Sequence, residues 1–586
     1  HDNGIPAPNL APTSAAEPSP CPGRRALART ATTIVEAMPT SATRAASATR
    51  VARFGPQAAS QAAHWQIEAA TTKRGQMMSE TRPKQIHAFT DDALGDMDAT
   101  ALADAIDSGR VSATEAVEAA LARAEKVDGV LNAIEFIDAK RARQRAGRID
   151  AGLGGGRHDH PDAALRGVPS AFKDNVVVAG VPMTQGSEAM PRVSNRRSGK
   201  VVTQILGTGI VPIGTTTMPP FGWTATTERP GGNVTRNPWD TSRSSGGSSG
   251  GSAALVASGV VPIAHGNDGG GSIRIPAATC GLVGLKPTRG RLIIGESSAQ
   301  MPVKIVTDSV LTRTVRDTVT FFEDAQRVHP ARRLPPIDVT SHPGLTRPLR
   351  IGFMHDSPFA PPSDAPTRAA VDTALTMLGG LGHDIVDWQP TIPESFQQDF
   401  LDYWGFLAFN TVAGGKRLFH KDFDASKLDP LTLGLAQMGR RRLAHAPKFL
   451  ARLQASGRVY RSQMASGPDV FVSPVLAHVA PEIGYLAGDL DYETHLERVL
   501  AYCAFTPLHN ATGAPAISLP LGRTDDGLPV GVMISGQIGD ENTLLRLALQ
   551  IEAAHPFRRL DQVGEAAQGG VPNRDEPGVV AASNGA

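Results

Sequence analysis

An α/β layered fold is predicted by three features of this 586-residue chain. Strand-like and helix-like segments alternate through its middle, 41% of its residues are hydrophobic, and two glycine-rich turns are bordered by apolar stretches of regular structure. A chain of this length can bury a sizeable core, and its net charge of +1 shows no bias toward polyanions, which sets nucleic acid aside as a partner. No uninterrupted apolar stretch of about 18 residues occurs, so no membrane span is indicated. Cys21, Cys280 and Cys503 are isolated, odd in number and without metal-ligand spacing, which suits a reducing cytoplasm; neither a metal nor a cofactor is expected.

Taken in order, the first 76 residues are rich in Ala, Ser, Thr and Pro and carry eight Lys/Arg against four Asp/Glu with no sustained amphipathic period. That composition also fits a transit peptide. Met77 and Met78, directly before Ser-Glu-Thr-Arg-Pro-Lys, favour a native start there. Residues 1–77 are then a disordered low-complexity extension, 78–562 the folded domain, and the Gly/Pro-rich residues 563–586 a disordered tail. Ser112 and Glu115 form a capping box, followed by a helical stripe of Val117, Ala120, Leu121 and Ala124. Residues 167–174 read as a short strand with Lys173 among apolar neighbours. Side chains alternate along a strand, so Lys173 can face inward and Asp174 away. A lysine buried without a counter-ion has its pKa lowered and can act as a base near neutral pH; the alternative is a surface lysine at a strand end.

Ser248 lies in the Gly/Ser run 244–252, and Ser272, 24 residues on, follows Asp268-Gly269-Gly270-Gly271. Glycines around a serine allow positive φ, let a substrate approach the main chain, and leave N–H groups free to face an oxyanion. A flexible linker is the competing reading of 244–252. Its flanks oppose that: turn chemistry at 235–240 precedes it, and an Ala-rich helix at 253–257, stopped by Gly259, follows. Residues 260–264 read as a buried strand leading into the second glycine run. His265 is a candidate base, but it sits at the end of an apolar strand, and no Asp stands at a familiar spacing to orient it. Further on, residues 349–353 and 368–378 read as strand then helix. Residues 392–465 hold an aromatic cluster, Phe396, Phe400, Tyr403, Trp404, Phe406 and Phe409, either as helix core or as a wall of an acyl or aryl pocket. Arg440, Arg441 and Arg442 read as a solvated helix face.

Lys173, Ser248 and Ser272, with Gly-Gly-Ser-Ser-Gly-Gly-Ser-Ala-Ala and Gly-Gly-Ser-Ile-Arg-Ile-Pro-Ala, resemble the amidase signature family. The resemblance continues through residues 280–291 and 510–516 and spans about residues 88–557. It implies a mixed central sheet covered by helices on both faces, with the site at one edge. It also implies hydrolysis of carboxamides by a Ser–cis-Ser–Lys triad: Ser272 as nucleophile, Ser248 after a cis peptide as proton bridge, and Lys173 as base. Gly269, Gly270 and Gly271 would form the oxyanion hole with the Ser272 N–H, supported by Gly247, Ser249, Asp268 and Arg274. Many members carry Thr or Ile at the position of Gly269 and Glu at that of Pro220. Where the family's glutamine-dependent transamidase subunit has Gln after the signature arginine, this chain has Ile275, which argues for a free-standing amidase. The Asp-Gly-Gly-Gly-Ser form is more similar to bacterial amidases related to nylon-oligomer and carbamate hydrolases. The sequons at Asn233 and Asn510 fall inside family motifs and are read as coincidental.

The leading expectation is a cytoplasmic amidohydrolase acting on a small-molecule amide, apolar or aromatic, or on a carbamate or nylon-type oligomer, through an acyl-enzyme. The alternatives are a glutamine-dependent amidotransferase subunit and a non-catalytic binding relative. A homodimer is left open as the assembly.

Overall fold

Two sheets carry the fold of the computed structural model, which describes residues 83–156, 159–160 and 162–562. The segments expected to be disordered, 1–77 and 563–586, lie outside the described residues. The smaller sheet has β1 (Ile134–Ile137), β2 (Pro169–Lys173) and β3 (Val211–Thr216) in the order β1-β3-β2, with β2 parallel and β1 antiparallel to β3. The larger sheet contains β4 (Ile263–Asp268), β5 (Val283–Lys286), β6 (Thr307–Thr312), β7 (Arg350–Phe353), β8 (Asp384–Ile385), β9 (Val470–Pro474), β10 (Ala516–Arg523) and β11 (Pro529–Gly536). Its order is β8-β7-β9-β11-β10-β5-β6-β4, with parallel pairs only between β7 and its two neighbours. This is the mixed sheet of an α/β fold.

Alternation along buried strands shows that both faces are covered. On β11, Val530, Val532 and Ile534 join the core that contains Leu544 of the helix Glu541–Ala554, while Met533 joins a second core with Ile275 and Ala278 of the helix Arg274–Cys280. Phe471 on β9 likewise leaves Val470 and Val472 for that second core. Each fully buried Val or Ile is worth roughly 1.5–3 kcal/mol, so a one-residue slip of β11 is strongly disfavoured. Helix starts follow local chemistry. The Ser112 Oγ accepts the Glu115 N–H, and the Glu115 carboxylate accepts the Ser112 N–H at 2.8 Å. Val117, Ala120 and Ala124 from that helix are fully or nearly fully buried.

Some boundaries differ from expectation. The strand read at 260–264 lies at Ile263–Asp268: Pro262 has no N–H for a ladder, and the polar residues that follow find partners across β6. The helix read at 368–378 runs Ala365–Gly380, begun by Asp364, whose side chain accepts the Thr367 N–H at 2.9 Å. Arg440 and Arg441 are exposed as expected, but Arg442 donates from Nη2 to Asp402 at 2.8 Å. Among the described residues no helix is long and apolar enough to cross a membrane.

Candidate active site

Lys173 ends β2 with its side chain fully buried. Its Nζ donates to Ser248 Oγ at 2.7 Å and to Asn267 Oδ1 at 2.8 Å, and among the described residues no carboxylate pairs with it. Burial pushes its pKa down to about 7, against the pull of Asp268 and Asp308 toward the charged form. Asp174 points elsewhere, as alternation requires, but it too is fully buried, not surface-facing. It binds the turn 184–186, accepting the Thr184 N–H at 3.0 Å and the Gly186 N–H at 3.4 Å. Burial raises its pKa to about 7 against these hydrogen bonds. That turn presents Gln185 to the cavity described below.

Ser248 follows a cis peptide from Gly247. A Cβ on Gly247 would stand 2.6 Å from the Thr226 carbonyl oxygen, so glycine is required by close backbone approach. The Ser249 Oγ donates to the Asn267 carbonyl at 3.3 Å, tying the serine turn to β4. The helix Gly250–Ala257 begins immediately after, so the run 244–252 is built structure and not a linker.

The second turn is braced by Asp268. Its Oδ1 accepts from Arg274 Nη2 at 2.9 Å, Asn510 Nδ2 at 2.8 Å and the Gly271 N–H at 2.7 Å; its Oδ2 accepts from Arg274 Nε at 2.9 Å and the Ile273 N–H at 3.2 Å. Burial alone would raise the Asp268 pKa, yet Arg274, Asn510 and Lys286 hold the carboxyl well below the usual range. The Gly271 N–H is therefore occupied as part of the brace and differs from the free oxyanion donor expected of it. The N–H groups of Gly269, Gly270 and Ser272 make no hydrogen bond within the described residues. Ser272 is 8% exposed, at the cavity wall.

His265 differs from expectation in having an aspartate after all. Its Nε2 lies 3.1 Å from Asp308 Oδ1, across the β4–β6 ladder and 43 residues away in sequence. Its Nδ1 accepts the Lys173 main-chain N–H at 3.3 Å. Both ring nitrogens are thus engaged, the ring is fully buried, and it does not reach the cavity. The pair supports the strand that carries Lys173.

Ser248, Ser272, Asn267, Gly269 and Gly270 open onto a cavity of about 220 Å³. Its wall is mainly aromatic and aliphatic, with Phe221, Trp223, Phe396, Phe400 and Trp404 prominent beside a few polar side chains such as Asn175 and Gln185, and among the described residues none that lines it carries a formal charge. The helix Phe396–Leu418 resolves the two readings of the aromatic cluster by face. Phe396, Phe400, Trp404, Leu407 and Thr411, three or four residues apart, line the cavity. Tyr403 faces the core, donating to the Val303 carbonyl at 2.6 Å and accepting its N–H at 3.0 Å. Phe406 stacks on Tyr403 at 6.2 Å between centroids, and Phe409 is half-buried away from the wall. Cys503 also lines the cavity, its thiol pushed far up in pKa by burial, so it is an apolar wall atom. Among the described residues no His/Cys/Asp/Glu cluster is arranged to hold a metal.

Residues absent from the sequence reading of the site are Asn267, Asp308 and, as a brace, Asn510. Asn510 is buried, with Nδ2 also donating to the Ile305 carbonyl at 3.1 Å. Its position in a family motif was its only signal.

With this geometry in view, the relatives are informative. The amidase family model matches residues 115–545. A Mycobacterium bovis protein bearing the provisional name amidase AmiC is 46% identical over 480 residues, covering 81% of this chain and 98% of its own. A solved 6-aminohexanoate cyclic dimer hydrolase is similar with a TM-score of 0.70 and 30% identity, covering 80% of this chain and 99% of that one. A bacterial aryl acylamidase of the amidase signature family is similar at 0.69 and 25%, covering 79% and 97%. This chain belongs to the amidase signature family. It is a hydrolase of C–N amide bonds.

Proposed function

We propose that the enzyme hydrolyses small, neutral carboxamides with apolar or aromatic substituents, including aryl amides and uncharged nylon-type oligomers, through an acyl-enzyme on Ser272. The observation that carries this reading is the uncharged, largely aromatic cavity onto which Ser272 and Ser248 open while Lys173 sits fully buried behind them. Burying an unpaired charge costs several kcal/mol, so such a wall favours neutral ligands and disfavours glutamine, whose ammonium and carboxylate would find polar side chains such as Asn175 and Gln185 but no counter-charge. This weighs against the amidotransferase alternative.

In the proposed sequence, neutral Lys173 accepts the Ser248 proton as Ser248 takes that of Ser272. The Ser272 Oγ then bonds to the amide carbon. The oxygen that becomes negative faces the N–H groups of Gly269, Gly270 and Ser272, each donor of this kind being worth roughly 3–4 kcal/mol. As the C–N bond breaks, the amine leaves with a proton returned through Ser248. Water attacks the Ser272 ester by the same relay and releases the acid. A carbamate fits the same wall and chemistry.

The test is a comparison of kcat/KM for an aryl acylamide, a carbamate, the cyclic and the linear 6-aminohexanoate dimers, and glutamine. Neutral substrates are expected to exceed the zwitterionic ones by about 100-fold or more, given the charge-burial cost. Preference for the linear dimer or glutamine would overturn the substrate assignment.

A further inference from the structure

We propose that Asn267 is a positioning residue: its side-chain carbonyl pins one N–H of the Lys173 amine and so directs the nitrogen lone pair at Ser248. The inference rests on the reading of Lys173 as the base.

The geometry is that of a two-point grip by one strand on another. His265 and Asn267 are two apart on β4 and so point the same way. The first takes the Lys173 main-chain N–H at 3.3 Å, the second its Nζ at 2.8 Å. Asn267 is itself held from its main chain, where the carbonyl accepts the Ser249 Oγ at 3.3 Å. A neutral primary amine has two N–H donors and one lone pair and rotates freely about its Cε–Nζ bond. An amide oxygen can only accept, so it takes an N–H and never competes for the lone pair. Ser248 Oγ, 2.7 Å from Nζ, accepts from the charged amine; once the amine is neutral the same contact reverses and Ser248 donates its O–H to that lone pair. A carboxylate could supply the same geometry, but it would hold the lysine protonated. An uncharged acceptor is what a lysine base requires here.

The other charged groups around the amine are few. Asp268 on β4 and Asp308 on β6 act from a distance, and Asp308 is paired with His265. Strand β3 and the helix Gly250–Ala257 bring no charged side chain. From the helix Ala113–Leu131 the one buried charge, Arg123, is bonded to Asp92 and the Gly259 carbonyl. Asn267 is thus the one side chain besides Ser248 that hydrogen-bonds to Nζ among the described residues.

Asn267→Asp, which keeps the volume of asparagine, and Asn267→Leu, which keeps its branching at Cγ but removes the acceptor, test this through the pH profile of kcat/KM on a neutral aryl acylamide. The Asp variant is expected to move the acid limb up by about one pH unit or more, because the new carboxylate favours the charged amine. The Leu variant is expected to lower kcat by about 10- to 100-fold with little change in KM, because only the orientation of the base is lost. A folded Asp variant with the wild-type acid limb, or a folded Leu variant with wild-type kcat, overturns the proposal. Should neither fold, Asn267→Ser, which removes reach but not polarity, is read by the same criterion as the Leu variant. If Lys173→Met is inactive and the Asn267 variants behave as wild type, this inference alone falls. A Lys173→Met enzyme of full activity removes the base reading beneath it.

Discussion

Asp268 and Arg274 meet in two parallel hydrogen bonds, both 2.9 Å, with neither side chain exposed to solvent. The pair leaves the Asp268 oxygens able to hold the Gly271 and Ile273 N–H groups, so one carboxylate shapes the turn in front of Ser272. Arg274→Leu would strand a buried charge. It is expected to cost about 3–5 kcal/mol in urea unfolding and to abolish activity. Because the Asp268 pKa is depressed in the folded state, its contribution is present above the unfolded carboxylate pKa and is lost only as pH falls toward the low folded value.

Ser272→Ala should leave turnover at background with stability changed by less than about 0.5 kcal/mol, since its hydroxyl makes no hydrogen bond within the described residues. A fluorophosphonate probe followed by peptide mass mapping should label Ser272 in the wild type and nothing in the variant. Label on Ser248 would reverse the two serines' roles.

Lys173 carries an opposite signature in rate and stability. With its folded pKa near 7, kcat/KM should fall as pH drops below about 7. An unfolded lysine titrates near 10.4, so the penalty for burying it is fully present below pH 7 and fades as pH rises from 7 to about 10. Lys173→Met is therefore expected to lose several orders of magnitude in kcat/KM yet to unfold at higher urea at pH 7, by roughly 1–4 kcal/mol. A destabilised Met variant would contradict the burial argument.

His265 offers a control. His265→Gln keeps an acceptor and a donor near Lys173 and Asp308, and is expected to retain activity within about tenfold and an unchanged acid limb. A folded His265→Gln enzyme without activity, beside an active Lys173→Met, would mean a histidine mechanism.

The two faces of the helix Phe396–Leu418 should separate under mutation. Phe400→Ala is expected to raise KM for aryl substrates by about tenfold, because it removes apolar wall contact. Tyr403→Ala should cost about 3–5 kcal/mol of stability, from the core and from its bonds to Val303. Equal effects of both on stability would show that the cavity face is structural.

The serines and Lys173 were legible because their signal is local: glycine, serine and one buried lysine within short motifs. The alternation rule also placed Lys173 and Asp174 on opposite sides. What escaped were partnerships made by the ladder between distant strands. Asp308 reaches His265 only because β6 runs antiparallel to β4, and Asn510 meets Asp268 only after the chain has crossed the sheet. Asn267 stood in plain view beside Asp268, but its meaning depends on β2 lying next to β4. From sequence the aromatic cluster reads as one group, because periodicity does not say which side of a helix meets a cavity.

The uncharged cavity bears on the end of the reaction as much as on its beginning. On the proposed reading a neutral amide enters, and at neutral pH its hydrolysis yields a carboxylic acid and, from alkyl amides, an amine that both ionise in water. Neither ion has a counter-charge on the wall, so each is more stable outside than within. On that reading ionisation favours departure, so the wall that admits the substrate also expels what is made from it.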